Sequence, residues 1–194
     1  MSVEIEVDGK QLLALADELG LTEKQAKFAL GQALRRTAAT LRRLAEKGLR
    51  SELDIKKVTY LRKRLKSIRF RGRDTTWHKL WFGMNDMPVS ALKGTITDSK
   101  KGGATFTGKA GSMSFTKGFV VRSKRGFGRT ILFRKSGARV PLDEAALPVK
   151  DKMEVFISDN VFVDVEQMIW KNFERDMMAR AKYGVGNTDY RKKR

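Results

Sequence analysis

The chain has 194 residues, with 41 Lys and Arg against 22 Asp and Glu, and a formal net charge of +19. Its 41% hydrophobic residues exclude a chain too polar to fold, and the absence of cysteine excludes disulfides and thiolate metal sites. The charge excess predicts affinity for a polyanion or for an acidic face of another protein, with a merely solvated basic surface as the alternative.

The N-terminus is acidic and lacks the basic-then-apolar order of a secretory signal. No apolar run approaches the roughly 20 residues that a membrane helix needs. The sequence therefore predicts a soluble protein that is made inside the cell and has no membrane partner.

The first 21 residues are predicted to be a strand–helix extension. Val3, Ile5 and Val7 alternate with glutamates, which is the period of a half-buried strand. Asp8 is then predicted to cap a short helix that ends at Gly20.

The next helix has the strongest start signal. Thr22 is followed three residues later by Gln25, the spacing of a capping box, and apolar residues then recur every three or four positions to about Gly48. Asp54 is predicted to cap a further helix, which leads into a basic strand over 67–73. The residues predicted to face inward from the helix after Asp54 are Ile55, Val58, Leu61 and Leu65.

The positive charge is concentrated in one window. Residues 22–73 contain 17 basic and four acidic residues, a net charge of +13, whereas residues 1–21 and 143–176 are acidic. The window could neutralise phosphates, pair with acidic faces of neighbouring subunits, or be a solvated helix face. Its candidate contact residues are Arg35, Arg36, Arg42, Arg43, Lys56, Lys57, Arg62, Lys63, Arg64, Lys66, Arg69, Arg71 and Arg73.

The rest of the chain reads as hairpins followed by a helix. Residues 94–118 are typical of hairpins and connections, and Phe119–Val121 and Thr130–Arg134 are predicted to be paired strands. A last amphipathic helix ends at Tyr183–Gly184. We therefore predict one α+β domain over 1–183 and a basic, flexible tail over 184–194. In this fold a small antiparallel sheet with hairpins packs on the long basic helix and the C-terminal helix.

Residues for catalysis are scarce. The single histidine, His78, has no partners at metal-ligand spacing, and the glycines at 126 and 128 lack the spacing of a phosphate-binding loop. The sequence therefore predicts no enzyme activity, no metal and no cofactor.

Two short motifs suggest a family. Residues 81–92 follow the pattern aromatic-Gly-x-Asn-x-x-Pro-[Leu/Val]-Ser-x-Leu, and residues 132–142 follow Phe-Arg-[Arg/Lys]-x-Gly-x-[Arg/Lys]-x-Pro-[Ile/Leu]. The first is met by Phe82, Gly83, Asn85, Pro88, Val89, Ser90 and Leu92. The second is met by Phe133, Arg134, Lys135, Gly137, Arg139, Pro141 and Leu142. With the preceding order of basic helix, short helix and basic strand, residues 22–182 resemble the minor tail protein Z family of tailed bacteriophages and prophages, also called tail completion proteins.

This resemblance implies a structural virion protein of the tail or neck, made in the cytoplasm of the host bacterium. Such subunits form a ring, usually sixfold, that helps join tail to head around the path of the genomic DNA. The implied partners are further copies of the chain and a neighbouring tail-terminator, tail tube or head–tail connector protein. The motif residues are expected to be scaffold, with Trp81, Phe82 and Leu92 in the core and Gly83, Gly137 and Pro141 in turns.

Two other functions stay open from the sequence. The charge of residues 22–73 alone is also expected of a protein that binds nucleic acid without sequence specificity. A ribosome-associated or toxin-like enzyme is a third hypothesis, which would depend on His78 and the arginines of the hairpin.

Overall fold

A computed structural model of the chain describes residues 2–4, 9–71, 76–98, 102–122, 128–134 and 141–184. It confirms the mixed α+β class, with small antiparallel sheets, a long N-terminal helix and a C-terminal helix. The helices are α1 (Gly9–Glu18), α2 (Glu23–Glu52), α3 (Thr59–Arg62), α4 (Lys150–Asn160) and α5 (Val165–Tyr183). The strands are β1 (Ser2–Glu4), β2 (Leu65–Arg71), β3 (Thr76–Phe82), β4 (Met87–Pro88), β5 (Thr95–Asp98), β6 (Ala104–Gly108), β7 (Gly111–Phe115), β8 (Gly118–Arg122), β9 (Arg129–Arg134), β10 (Leu142–Glu144) and β11 (Ala146–Leu147).

The start of α2 has the capping box that the sequence predicts. The Thr22 backbone N–H donates to Gln25 Oε1 at 2.9 Å, and the Gln25 N–H donates to Thr22 Oγ1 at 3.3 Å. These reciprocal bonds satisfy two N–H groups that a helix start otherwise leaves without partners. The helix continues four residues beyond Gly48 and ends at Glu52.

Contacts divide the chain into two compact units, which we call the helical unit (residues 2–44, 66–82 and 161–194) and the sheet unit (residues 45–65 and 83–160). The count of one domain stays a prediction. In the helical unit, α1, the first part of α2 and α5 share a core. Its members are Ala16, Ala26, Ala29, Ala33, Phe173 and Met177, with Trp170 and several leucines packed against them. The small side chains of α2, which we call the alanine face (Ala26, Ala29 and Ala33), leave room for the large side chains of α5. The helical unit also contains the sheet β1-β3-β2.

The sheet unit contains three small antiparallel sheets, in the orders β5-β6-β7, β10-β9-β8 and β11-β4. Phe106 is fully buried beneath the first of them. Its ring leaves no space for side chains at Gly94 and Gly108, where a Cβ would lie 2.6 and 2.9 Å from the ring. Helix α4 contributes Met153 and Ile157 to the buried residues of the same unit.

The helix predicted from Asp54 is wrong over most of its length. Asp54 has a left-handed backbone (φ 51°), and Ile55 forms a β-bridge with Leu92. The Lys56 N–H donates to Ala91 O at 2.8 Å, and the Lys93 N–H donates to Asp54 O at 2.9 Å. This pairing with a distant segment fixes 54–56 in an extended path, so that only Thr59–Arg62 is helical. Ile55, Leu61 and Leu65 are nevertheless buried, and Val58 is partly buried.

Other predictions hold. Strands β8 and β9 pair antiparallel, with Phe119 opposite Leu132. Helix α5 ends where expected, at Gly184, whose φ of 60° lets the chain leave the helix. Helix α4 was not predicted from the sequence. The cap at Asp8, the strand residues after Glu4, Gly126 and the tail from 185 lie outside the described residues.

Candidate functional site

The exposed face of α2 presents arginine side chains. Arg35, Arg36 and Arg43 are exposed and Arg42 is half-buried. With about 3.6 residues per turn, Arg35 and Arg42 project opposite the alanine face, whereas Arg36 and Arg43 project from its flank. Within the part of the chain that the structure describes, Arg35, Arg42 and Arg43 have no hydrogen-bond or ion-pair partner. We call these three side chains the open arginines.

Arg36 differs from the open arginines because it has an acidic partner. Its Nη1 lies 3.5 Å from Asp176 Oδ1, and Arg180 Nε lies 2.7 Å from Asp176 Oδ2. Arg180 also lies over the ring of Phe28, at 5.8 Å from the ring centroid. The pairing with Asp176 offsets part of the charge of Arg36, which leaves it less available to an external anion.

The second half of the basic window, residues 56–66, has more internal partners. Arg62 Nε donates to Glu46 Oε1 at 2.7 Å. Lys57 and Lys63 are exposed, and Lys57 also has an interaction within the chain. Lys66 lies over the ring of Trp81 at 5.7 Å, and Trp81 is 38% exposed rather than in the core as expected.

Arg64 has a clearly structural position. Its guanidinium donates to the backbone carbonyls of Asn85 and Asp86, with the Asp86 bond at 2.8 Å. The Arg64 carbonyl accepts from the Gly83 N–H at 2.8 Å. Burial lowers the pKa of Arg64, and the nearby Asp86 carboxylate opposes that shift. Arg64 thus fixes the loop that carries the first family motif.

Lys56 belongs to a small polar cluster in the sheet unit. Its Nζ donates to Ser90 O at 3.1 Å. Glu144 Oε1 accepts from the Ser90 N–H at 3.0 Å and from Thr130 Oγ1 at 2.6 Å. Burial lowers the pKa of Lys56, while the negative charge of Glu144 raises it in part. These bonds hold together four separate segments of the sheet unit, which is a structural role.

Three further basic candidates have side chains that the structure does not describe. The side chains of Arg69 and Arg71 and the whole of Arg73 lie outside the described residues, as does the side chain of His78. Within the ranges that the structure describes, no group of three His, Asp or Glu side chains could hold a metal ion. Among those same residues, no helix combines the length and apolar character that crossing a bilayer requires.

The residues of the two family motifs are mostly structural. Phe82, Gly83 and Leu92 are buried, and the Phe82 ring meets Phe162 edge-on at 5.7 Å. Pro88 lies opposite Ala146 in the pair β4–β11. Asn85 and Pro141 are exposed, Arg134 lies over the Phe119 ring, and Phe133 is half-buried. Lys135, Gly137 and Arg139 lie outside the described residues.

No pattern in the sequence indicated the acidic partners of Arg36 and Arg62. Glu46 and Arg62 are 16 residues apart, and Asp176 and Arg36 are 140 apart. Neither separation is a helical repeat, so no local pattern could identify the pairs. The capping box and the apolar repeat of α2, by contrast, are regular spacings that the sequence shows.

Compared with known proteins, the chain matches no family model, no curated protein sequence and no solved structure. The likeness to phage tail completion proteins therefore rests on the two short motifs and on the order of the elements before them.

Proposed function

We propose that the protein is a structural subunit of a tailed-phage virion, a tail completion or head–tail joining protein that forms a ring around the DNA path. The observation that carries this proposal is the set of open arginines on α2. Three guanidinium groups on one helix, without a partner among the residues that the structure describes, form a surface that suits external carboxylates or phosphates.

The distribution of charge supports an assembly role. Arginine pairs with carboxylates as well as with phosphates, and the chain has acidic stretches at residues 1–21 and 143–176. A basic face on one copy and an acidic face on the next permit the head-to-tail contacts from which closed rings are built. The two motifs, which resemble those of tail completion proteins, favour the phage tail as the setting.

The purified chain tests this proposal directly. Light scattering and negative-stain electron microscopy should show a ring, for which six copies are expected. Mass spectrometry of phage particles from the source culture should detect the chain. A protein that stays monomeric at all concentrations and is missing from the particles would contradict the proposal.

The alternative is a protein that binds nucleic acid without sequence specificity, and the same open arginines favour it. It predicts that the free monomer binds DNA with an affinity that falls steeply with salt, with a slope of about 0.9 per neutralised phosphate. A chain that binds DNA only once it has assembled into a ring would favour the virion subunit. A monomer that binds DNA tightly and never assembles would favour the alternative.

A further inference from the structure

One hairpin of the sheet unit is almost free of charge. Strands β6 and β7, Ala104–Phe115, contain one charged residue, Lys109, in a chain of which 32% of residues are charged. Lys109 has partners inside the chain, because its Nζ donates to Ser51 O at 2.9 Å and lies 3.8 Å from Glu52 Oε2. The hairpin is therefore a surface on which copies of a chain with a net charge of +19 can approach with little repulsion.

Strand β7 is an outer strand of its sheet, since the strand order is β5, β6, β7. The register fixes which of its backbone groups point away from β6. Gly108 and Gly111 flank a two-residue turn, so they form a hydrogen-bonded pair, and such pairs alternate with non-hydrogen-bonded ones along the strands. Ser112 and Ser114 belong to the non-hydrogen-bonded pairs, and their backbone N–H and C=O groups therefore face the open edge.

The side chains agree with this register. Side chains are closer together in non-hydrogen-bonded pairs, and Ser114 Oγ lies 2.9 Å from Thr105 Oγ1 while Ser112 Oγ lies 3.1 Å from Thr107 Oγ1. The hydroxyls thus satisfy one another across the two strands. The groups of β7 that have no partner within the sheet are backbone N–H and C=O groups. Another extended strand can pair with such groups.

The edge also lacks the usual protection. Outer strands commonly carry lysine, proline or a bulge that prevents pairing with another chain. β7 has the sequence Gly-Ser-Met-Ser-Phe, with no charge and no proline, and its Ser112, Met113 and Ser114 are exposed. An open edge of this kind suits a β-strand.

We propose that the β7 edge takes up a strand from a second copy of this chain, which adds backbone hydrogen bonds at Ser112 and Ser114. The inference rests on the proposed function, because a ring requires contact between copies. It adds an uncharged strand edge to the charged surface that the open arginines offer.

The test uses two substitutions at one position in the full chain. Ser114→Pro removes an outward N–H and leaves the pairing between β6 and β7 intact, as proline on an outer strand can. Ser114→Ala removes the same hydroxyl bond to Thr105 and keeps the N–H. Analytical ultracentrifugation should show wild-type self-association for Ser114→Ala. For Ser114→Pro, self-association should be weakened by up to about tenfold, the loss expected for one backbone hydrogen bond.

Circular dichroism checks that each variant is folded. If Ser114→Pro does not fold, the double variant Ser112→Lys/Ser114→Lys adds charge to the edge without changing its backbone and should also weaken association. Rings that form equally well from the wild type and from the blocked variants would overturn this inference and leave the proposed function standing. Loss of binding to a different virion protein, with self-association intact, would also overturn it. A wild-type chain that never associates would instead refute the ring itself.

Discussion

The two halves of the basic window carry similar charge and use it differently. On α2, Arg35, Arg42 and Arg43 have no partner among the described residues, whereas Lys56, Arg62 and Arg64 bond to carbonyls and carboxylates of the sheet unit. Arg35 and Arg43 are exposed, and Arg42 is half-buried. The segment after α2 instead runs beside other strands and loops, where backbone carbonyls need donors. Net charge along a sequence therefore overstates the charge that a partner can reach.

The largest effect is expected from reversing the charge of the open arginines. In the triple variant Arg35→Glu/Arg42→Glu/Arg43→Glu, affinity for DNA or another polyanion should fall by on the order of 10- to 100-fold, because up to three phosphate contacts are lost. The slope of log affinity against log salt should also fall by about one unit per arginine. Fluorescence anisotropy with a labelled duplex measures both. The control is Arg62→Glu, which should change the affinity much less, and equal effects would remove the distinction between the two halves.

Stability should show the reverse ranking. Arg64→Met removes donors from the carbonyls of Asn85 and Asp86, and we expect the free energy of unfolding to fall by about 1–2 kcal/mol, since water can reach these carbonyls in part. The matched variant Arg43→Met should change it by less than about 0.5 kcal/mol. Urea unfolding followed by circular dichroism compares them. An Arg64→Met protein as stable as the wild type would contradict the structural position of Arg64.

A smaller effect is expected for the pair of Arg62 and Glu46. Arg62 is 60% exposed, so the coupling should be about 0.5 kcal/mol, typical of a surface ion pair. A double-mutant cycle with Arg62→Met and Glu46→Gln gives the coupling. Repeating the cycle in 1 M salt should remove most of it, because the screening length falls to about 3 Å. A coupling that salt leaves unchanged would mean that packing, not charge, joins the two residues.

The smallest effect is a pH dependence at Lys56. Burial lowers its pKa in the folded protein below the ordinary lysine value, so the unfolded chain binds the proton more strongly. Stability from this group should therefore rise with pH between the lowered folded pKa and the ordinary value of about 10.4, and level off above it. The difference in unfolding free energy between wild type and Lys56→Met, measured across this window, should show the rise. A difference that falls with pH would contradict the direction of the shift.

Local signals predicted the parts of the fold that depend on local physics. The capping box of Thr22 and Gln25 located the start of α2, and Gly184 located the end of α5, because each is a bond or a backbone angle formed within a few residues. Helix α4 was not predicted because it is short and buries only Met153 and Ile157. Its charged residues also interrupt the apolar repeat.

Contacts between distant parts of the chain determine the features that the sequence did not predict. The helical pattern after Asp54 was outweighed by the pairing of Ile55 with Leu92, which lies 37 positions away. All the candidate basic residues were identified from the concentration of positive charge in residues 22–73. Sorting Arg36 and Arg62 from the open arginines required the positions of Asp176 and Glu46, and no spacing in the sequence encodes those positions.

The alanine face has a consequence for how this sequence can vary. Ala26, Ala29 and Ala33 are almost completely buried against α5, and a larger side chain at any of them would overpack the core at a cost of about 1–3 kcal/mol. Exposed positions of the same helix, such as Arg35 and Arg43, tolerate replacement with little loss of stability. Related sequences should therefore keep small residues at the alanine face while the charges at exposed positions of α2 vary, so that a lineage can adapt to a new partner without rebuilding its core.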